Sequence, residues 1–292
     1  MAKRFGFMAA LTLVAATAHG QDVKISAGPI EDGRQNNERM SALSIELKVE
    51  GDGAVDVQAM RIKVKSAKDD LGTNLVKPSP DGSPPAFEEF GVNRSPKPKI
   101  RLASPARAAS KVDVTGEVEL FIPKKDPNTS LKLDRFQAAL DKPISNAALK
   151  SAKVTLTPLS AKEYVSRQAK NKPTKEQMIA EGKKRGATDD EIKQMLALME
   201  AFSKMGSEPP DEKSVLLETK DPEGRIMDIQ VAAKGGEEIH SNGRGSSGSD
   251  ELKLRKIDLT EKAPADAVLV VTLRTPKSVV TVPISMKEVN LP

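Results

Sequence analysis

His240 and Ser241 stand side by side at the head of a glycine- and serine-rich stretch, Ser241–Asp250 (SNGRGSSGSD). Acyl transfer on such a pair needs a base, a positioned hydroxyl and donors for the oxyanion. The strained Gly-x-Ser-x-Gly elbow that would supply that geometry does not occur in the chain. The same stretch resembles a phosphate-cradling loop only superficially, because it lacks the Lys-Ser/Thr ending. A lone polar histidine in this setting reads as surface. Histidine-based metal binding fails on count, since the chain has two histidines and no cysteine, and zinc asks for three or four such ligands.

Carboxylates are the remaining chemistry. Asp69-Asp70 and Asp189-Asp190-Glu191 are acidic clusters, and neither has the spacing of a calcium loop. Asp189 and Glu191 suit the first turn of a helix, where negative charge is favoured. Glycoside hydrolysis needs only two carboxylates, so a carboxylate-dependent hydrolase stays open as the enzymatic alternative. Sugar and single-strand nucleic-acid sites stack rings on aromatics. The chain has no Trp, one Tyr and seven Phe, which disfavours both. No catalytic, metal or cofactor residue is assigned, and the expectation is a protein that is not an enzyme, has no cofactor and binds no nucleic acid.

A candidate partner-docking face comes from spacing instead. Ile192, Met195, Leu196, Met199 and Phe202 recur at helical intervals and form one stripe, with Met178 on a preceding helix. Thioether side chains adapt to irregular surfaces. The other reading of the stripe is packing inside the protein's own core.

The elements that must carry these residues can be read from punctuation and period. Thr174–Gln177 and Thr188–Glu191 each fit the capping box. With Gly186 between them and Pro209-Pro210 beyond, they predict a helical hairpin over about Lys175–Arg185 and Asp189–Met205. Leu43–Val49, Met60–Val64 and Val112–Ile122 alternate apolar with polar residues, the mark of half-buried strands. Lys77–Lys99 is proline-rich and reads as an extended loop. A strand is expected near Ala152–Pro158 and a helix over Ser160–Lys170. Val215–Glu218 and Met227–Val231 flank a Pro/Gly turn and read as a hairpin. Ser241–Asp250 reads as flexible, and Leu252–Leu259, Ala267–Arg274 and Val279–Met286 as three further strands.

Met1–Asp22 has the form of an export signal. Lys3 and Arg4 precede the short apolar run Phe5–Ala16, and small residues follow, with cleavage after Ala18 or after Gly20. About 12 apolar residues are too few to span a bilayer, which takes roughly 20. Export without membrane insertion is therefore expected. Losing Lys3 and Arg4 lowers the formal net charge of +5 by two. The remaining charge is balanced over Gln21–Lys124, positive over Lys125–Met205 and negative from Gly206 onward. An acidic partner, such as an anionic envelope polymer, would meet the positive middle.

Arg61–Lys77 (RIKVKSAKDDLGTNLVK), Ser104–Pro123 (SPARAASKVDVTGEVELFIP) and Val282–Pro292 (VPISMKEVNLP) resemble uncharacterised exported bacterial proteins built of immunoglobulin-like β-sandwich modules. That resemblance implies an architecture and carries over no activity and no residue roles. The expected fold is mainly β with an α-helical insertion, made of two antiparallel β-sandwich-like modules plus a helical hairpin. Its boundaries are a signal peptide at 1–20, a first module at 21–124 and a second at 125–292 carrying the helices at about 160–206. The expected function is binding or structural support in the periplasm or envelope, with another envelope protein or an anionic polymer as partner.

Overall fold

The computed structural model describes residues 23–33, 42–77, 85–89, 98–171, 174–184, 186–205, 210–249 and 252–292. The export signal expected at Met1–Gly20 lies outside these residues, as do 78–84 and 90–97 of the proline-rich stretch. The chain forms two compact units, Met1–Pro127 with Pro276–Pro292, and Asn128–Thr275.

Unit 1 contains β1 (Lys24–Gly33), β2 (Ala42–Glu50), β3 (Ala59–Asp69), β4 (Glu88–Glu89), β5 (Lys99–Leu102), β6 (Lys111–Phe121) and the last strand of the chain, β14 (Val279–Asn290). Their orders are β1-β2-β5 in one sheet and β14-β6-β3-β4 in the other, and every pair is antiparallel. The alternation read from sequence is realised in space. Leu43, Ile45 and Leu47 of β2 are buried, as are Val112, Val114, Val118 and Leu120 of β6. Both sheets send these side chains into one cluster with Ile100, Leu102 and Met286. Gly116 interrupts the β6 series for a steric reason. A β-carbon there would sit 2.4 Å from the Lys63 carbonyl oxygen, where the register of β3 shifts between Val64 and Ser66.

The C-terminal strand corrects the expected domain boundary. The sequence pattern places Val279–Met286 in a second module running from 125 to 292. Instead β14 pairs with β6, Val279 opposite Phe121 and Ile284 opposite Gly116, so Asn128–Thr275 is an insertion between two neighbouring strands of unit 1. Alternation shows that a strand has one buried face; it does not show which sheet holds the strand.

Unit 2 contains β7 (Ser130–Asp134), β8 (Thr155–Pro158), β9 (Ser214–Lys220), β10 (Ile226–Ala232), β11 (Ser241–Gly248), β12 (Leu252–Leu259) and β13 (Val268–Leu273). The orders are β10-β13-β7 and β11-β12-β9-β8, again antiparallel throughout. Leu156, Leu217, Val231, Leu269 and Val271 meet in one buried cluster drawn from both sheets. Two sequence expectations fail here. The segments around Lys220–Arg225 do not form a hairpin, because β9 pairs with β12 and β8 while β10 pairs with β13. The turn itself is present and carries the chain from one sheet to the other. Within the expected flexible stretch Ser241–Asp250, main-chain pairing to β12 makes Ser241–Gly248 a strand, and Asp250 lies outside the described residues. The strand buries no apolar side chain, so no period marked it.

The helices are α1 (Ala147–Ser151), α2 (Ala161–Asn171), α3 (Lys175–Lys184) and α4 (Asp189–Met205), the last three between β8 and β9. Both capping boxes form. Gln177 N–H donates to Thr174 Oγ1 at 3.2 Å while Thr174 N–H donates to Gln177 Oε1 at 2.9 Å. Thr188 N–H donates to Glu191 Oε2 at 2.7 Å, and Glu191 N–H returns to Thr188 Oγ1 at 3.3 Å. The fold is thus a mainly antiparallel β protein with a cluster of helices.

Candidate functional site

The stripe on α4 divides. Ile192 is buried at 4% exposure, and a β-carbon on Gly182 of α3 would lie 2.9 Å from its Cγ1. That contact seats α3 on α4. Met178 and Leu196 are half-buried, whereas Met195 is 38% exposed. Leu198, which the spacing argument left out, is 58% exposed. The side chains of Met199 and Phe202 lie outside the described residues. Among the described side chains, the candidate docking face therefore consists of Met195 and Leu198 beside a seam made by Ile192. On α2, Tyr164 packs with Leu159, Leu216 and Leu254, and Arg167 joins Glu163 to Glu218, the latter at 2.7 Å.

Unit 1 holds a cleft of about 350 Å³ between β3 and β5, at the low end of the size that takes small ligands. Met60, Ile62, Val64, Val76, Ile100 and Leu102 line it with apolar side chains. Glu88 is the one carboxylate among its described lining residues. No sequence pattern marks this cleft, because its lining comes from separate segments that each read as ordinary strand or loop.

Lys63 of β3, with Lys77, Lys99 and Arg101, adds positive charge to the lining of the cleft, and Arg61, Lys63 and Lys65 of β3 alternate with Ile62 and Val64 and meet the carboxylates of β6. Glu119 of β6, 9% exposed, receives Arg61 Nε at 2.6 Å and the Lys63 ammonium. Glu117 receives Lys65 at 2.7 Å, and Arg61 stacks over the Phe87 ring with 4.6 Å to its centroid. Burial opposes ionisation of Glu119, but the hydrogen bonds from Lys63 and Arg61 outweigh it and hold its carboxyl below the usual range.

The acidic clusters have structural employment. Asp69, 5% exposed, accepts N–H groups from Leu71, Thr73 and Ala106 at 3.1, 2.7 and 3.0 Å. Burial raises its pKa, yet these main-chain donors lower it further than burial lifts it. Asp70 accepts the Ser110 hydroxyl at 2.6 Å, the main cause of its own lowered pKa. Asp189, Asp190 and Glu191 occupy the first turn of α4. No group of three or more metal-ligating side chains occurs among the described residues. His240 is exposed, and the structure uses its carbonyl, which accepts the Thr260 N–H at 2.9 Å. Ser241 Oγ accepts Arg244 Nε at 3.4 Å. No described helix is long and apolar enough to cross a membrane. Comparison with protein-family models, with curated proteins and with solved structures finds no match.

Proposed function

We propose that the protein is exported and serves a non-catalytic binding or structural role in the periplasm or cell envelope. What supports the reading is how its carboxylates are spent. Asp69, Asp70 and Asp221 accept turn and loop donors, and Glu117 and Glu119 are tied across strands to lysine and arginine. An acid–base pair needs carboxyls facing a substrate-sized space, and the carboxylate-dependent hydrolase alternative has only Glu88 among the described lining of the cleft. In this reading each unit is a β-sandwich-like module. What supports an immunoglobulin-like reading of unit 1 is that its first, second and fifth strands share one sheet and its third, sixth and last the other, with the short fourth strand beside the third. The resemblance to exported bacterial proteins of that architecture points the same way.

Fractionation of cells expressing the full chain tests export. A product outside the cytoplasm that starts at His19 or Gln21 is expected, and a cytoplasmic product retaining Met1 would refute it. A hydrolase panel tests the absence of catalysis: turnover that survives purification and vanishes on one point substitution would overturn the proposal.

The exposure of Met195 and Leu198 favours a second reading, in which α3 and α4 form a helical hairpin that docks another envelope protein. Deleting 173–210 should then abolish capture of that protein while leaving the β-type circular dichroism. Loss of the β signal would show instead that the hairpin is part of the core.

A further inference from the structure

Asn242-Gly243 is the one Asn-Gly dipeptide in the chain. It sits at an irregularity of β11. Ser241 lies opposite Leu259 and Gly243 opposite Asp258, so Asn242 is the extra residue of a bulge, left out of the ladder. Its side chain is exposed and has no hydrogen-bond partner among the described residues. A β-carbon built on Gly243 meets nothing within 4 Å, so no neighbouring atom crowds the side-chain side of Gly243. Asn74 and Asn146 are held differently. Asn74 Oδ1 accepts the Val76 N–H at 3.2 Å, and Asn146 Oδ1 accepts the Ala148 N–H at 2.8 Å as a helix cap. Each is followed by a residue with a side chain, Leu75 and Ala147.

We propose that Asn242 is a self-modifying site that converts to aspartate and isoaspartate without an enzyme. Base removes the Gly243 amide proton, and that nitrogen attacks Asn242 Cγ. The N–Cγ bond forms, the Cγ–Nδ2 bond breaks, and Nδ2 leaves as ammonia after taking up a proton. Water, the one co-reactant, then opens the cyclic imide at either carbonyl. Opening at one carbonyl gives aspartate; opening at the other gives isoaspartate, with the main chain rerouted through the former side chain. The bulge frees the carboxamide to turn toward its own chain, and glycine leaves the nucleophile unshielded.

The conversion changes the charge of β11, where Arg244 is the single charged residue. Arg244 is bound to Asp228 at 2.5 Å and lies 3.9 Å from Glu238. A carboxylate at 242 gives this guanidinium a third acidic neighbour, and the strand goes from positive to neutral. The extra main-chain atom of isoaspartate falls in a bulge that buries no side chain, so the fold persists.

The test is ageing of the purified full chain at mildly alkaline and mildly acidic pH, followed by digestion and mass spectrometry with an isoaspartate assay. The amide-to-acid mass increase should appear at Asn242 before Asn74 or Asn146, faster at the higher pH. Both products should be present. Gly243→Ala should slow it roughly tenfold, a barrier increase of about 1.4 kcal/mol, and the open space around Gly243 lets that variant fold. No mass change at Asn242, equal change at Asn74 and Asn146, or an unchanged rate in Gly243→Ala would each overturn the proposal.

Discussion

Each unit contains a turn that starts Lys-Asp and closes on glycine, Lys68–Gly72 in unit 1 and Lys220–Gly224 in unit 2. Locally the two are alike. Gly72 N–H donates to the Asp69 carbonyl at 2.9 Å and Gly224 N–H to the Asp221 carbonyl at 3.1 Å. Both glycines have positive φ, 85° and 59°, where a side chain would be strained. They are wired oppositely to the rest of their units. Asp69 reaches out of its turn to Ala106 N–H, 37 residues away, and Asp70 beside it takes Ser110. Asp221 accepts Arg225 and Ile226 N–H, at 2.8 and 2.7 Å, from the two residues that directly follow its own turn. Contacts to that turn arrive from outside, with Arg274 donating to the Glu223 carbonyl and Lys153 pairing with the Glu223 carboxylate. One motif serves as a tertiary clamp in the first unit and as a local corner in the second.

The sharpest way to break this comparison is to remove the two carboxylates. Asp69→Ala strands three N–H donors, one of them on a distant loop, and should destabilise unit 1 by about 3 kcal/mol. Asp221→Ala strands two donors in a partly solvated turn and should cost unit 2 about 1.5 kcal/mol. The single tyrosine, Tyr164, is buried in unit 2, so its fluorescence follows unit 2 during urea unfolding while circular dichroism follows both units. Equal losses would show that the reach of Asp69 to Ala106 adds nothing to an ordinary turn.

Acid gives a smaller and signed effect. The folded-state pKa of Asp69 is lowered, so the native state binds fewer protons than the unfolded chain as pH drops below the unfolded value of about 4. The stabilisation from Asp69 is complete above that value and is lost as pH falls through the folded pKa. Asp69→Asn cannot titrate, so the stability gap between wild type and variant should narrow in acid. A gap that stays constant between neutral pH and pH of about 3 would refute the assignment.

The asymmetry between the turns also marks what the sequence could tell. The Lys220–Gly224 turn, both capping boxes and nine of the fourteen described strands are legible in the sequence, because glycine, proline and period 2 act over a few residues. Strands β1, β4, β5 and β7 are not, being short or lacking a clean alternation. The remote end of Asp69 was not, since nothing near Asp69-Asp70 names Ala106. Strand β11 was missed because serine and glycine bury nothing and so leave no period. The cleft was missed because Ile62, Val76 and Ile100 look like core residues until three segments are placed around one space. The docking stripe was half legible: periodicity found Ile192 and Met195, but only the position of α3 shows that Ile192 is the seam and Leu198 is bare.

The smallest effect should come from the largest cut. The inserted unit leaves unit 1 beside β6 and returns at β14, and unit 1 already holds those two ends together. Ile122 N–H donates to the Ser278 carbonyl at 2.8 Å, and Phe121 pairs with Val279. Within unit 2 the first and last strands are likewise neighbours, with Ser130 opposite Thr272. Each unit therefore closes its own ends, the arrangement that tolerates domain insertion. Replacing Asn128–Thr275 by a short Gly/Ser linker should change the stability of unit 1 by less than about 1 kcal/mol, because loop closure depends only weakly on length. The excised Asn128–Thr275 should fold alone, with Tyr164 still shielded from quencher. If unit 1 collapses without its insertion, the two units are one cooperative body, and the Asp69 and Asp221 substitutions would then shift a single shared transition instead of two.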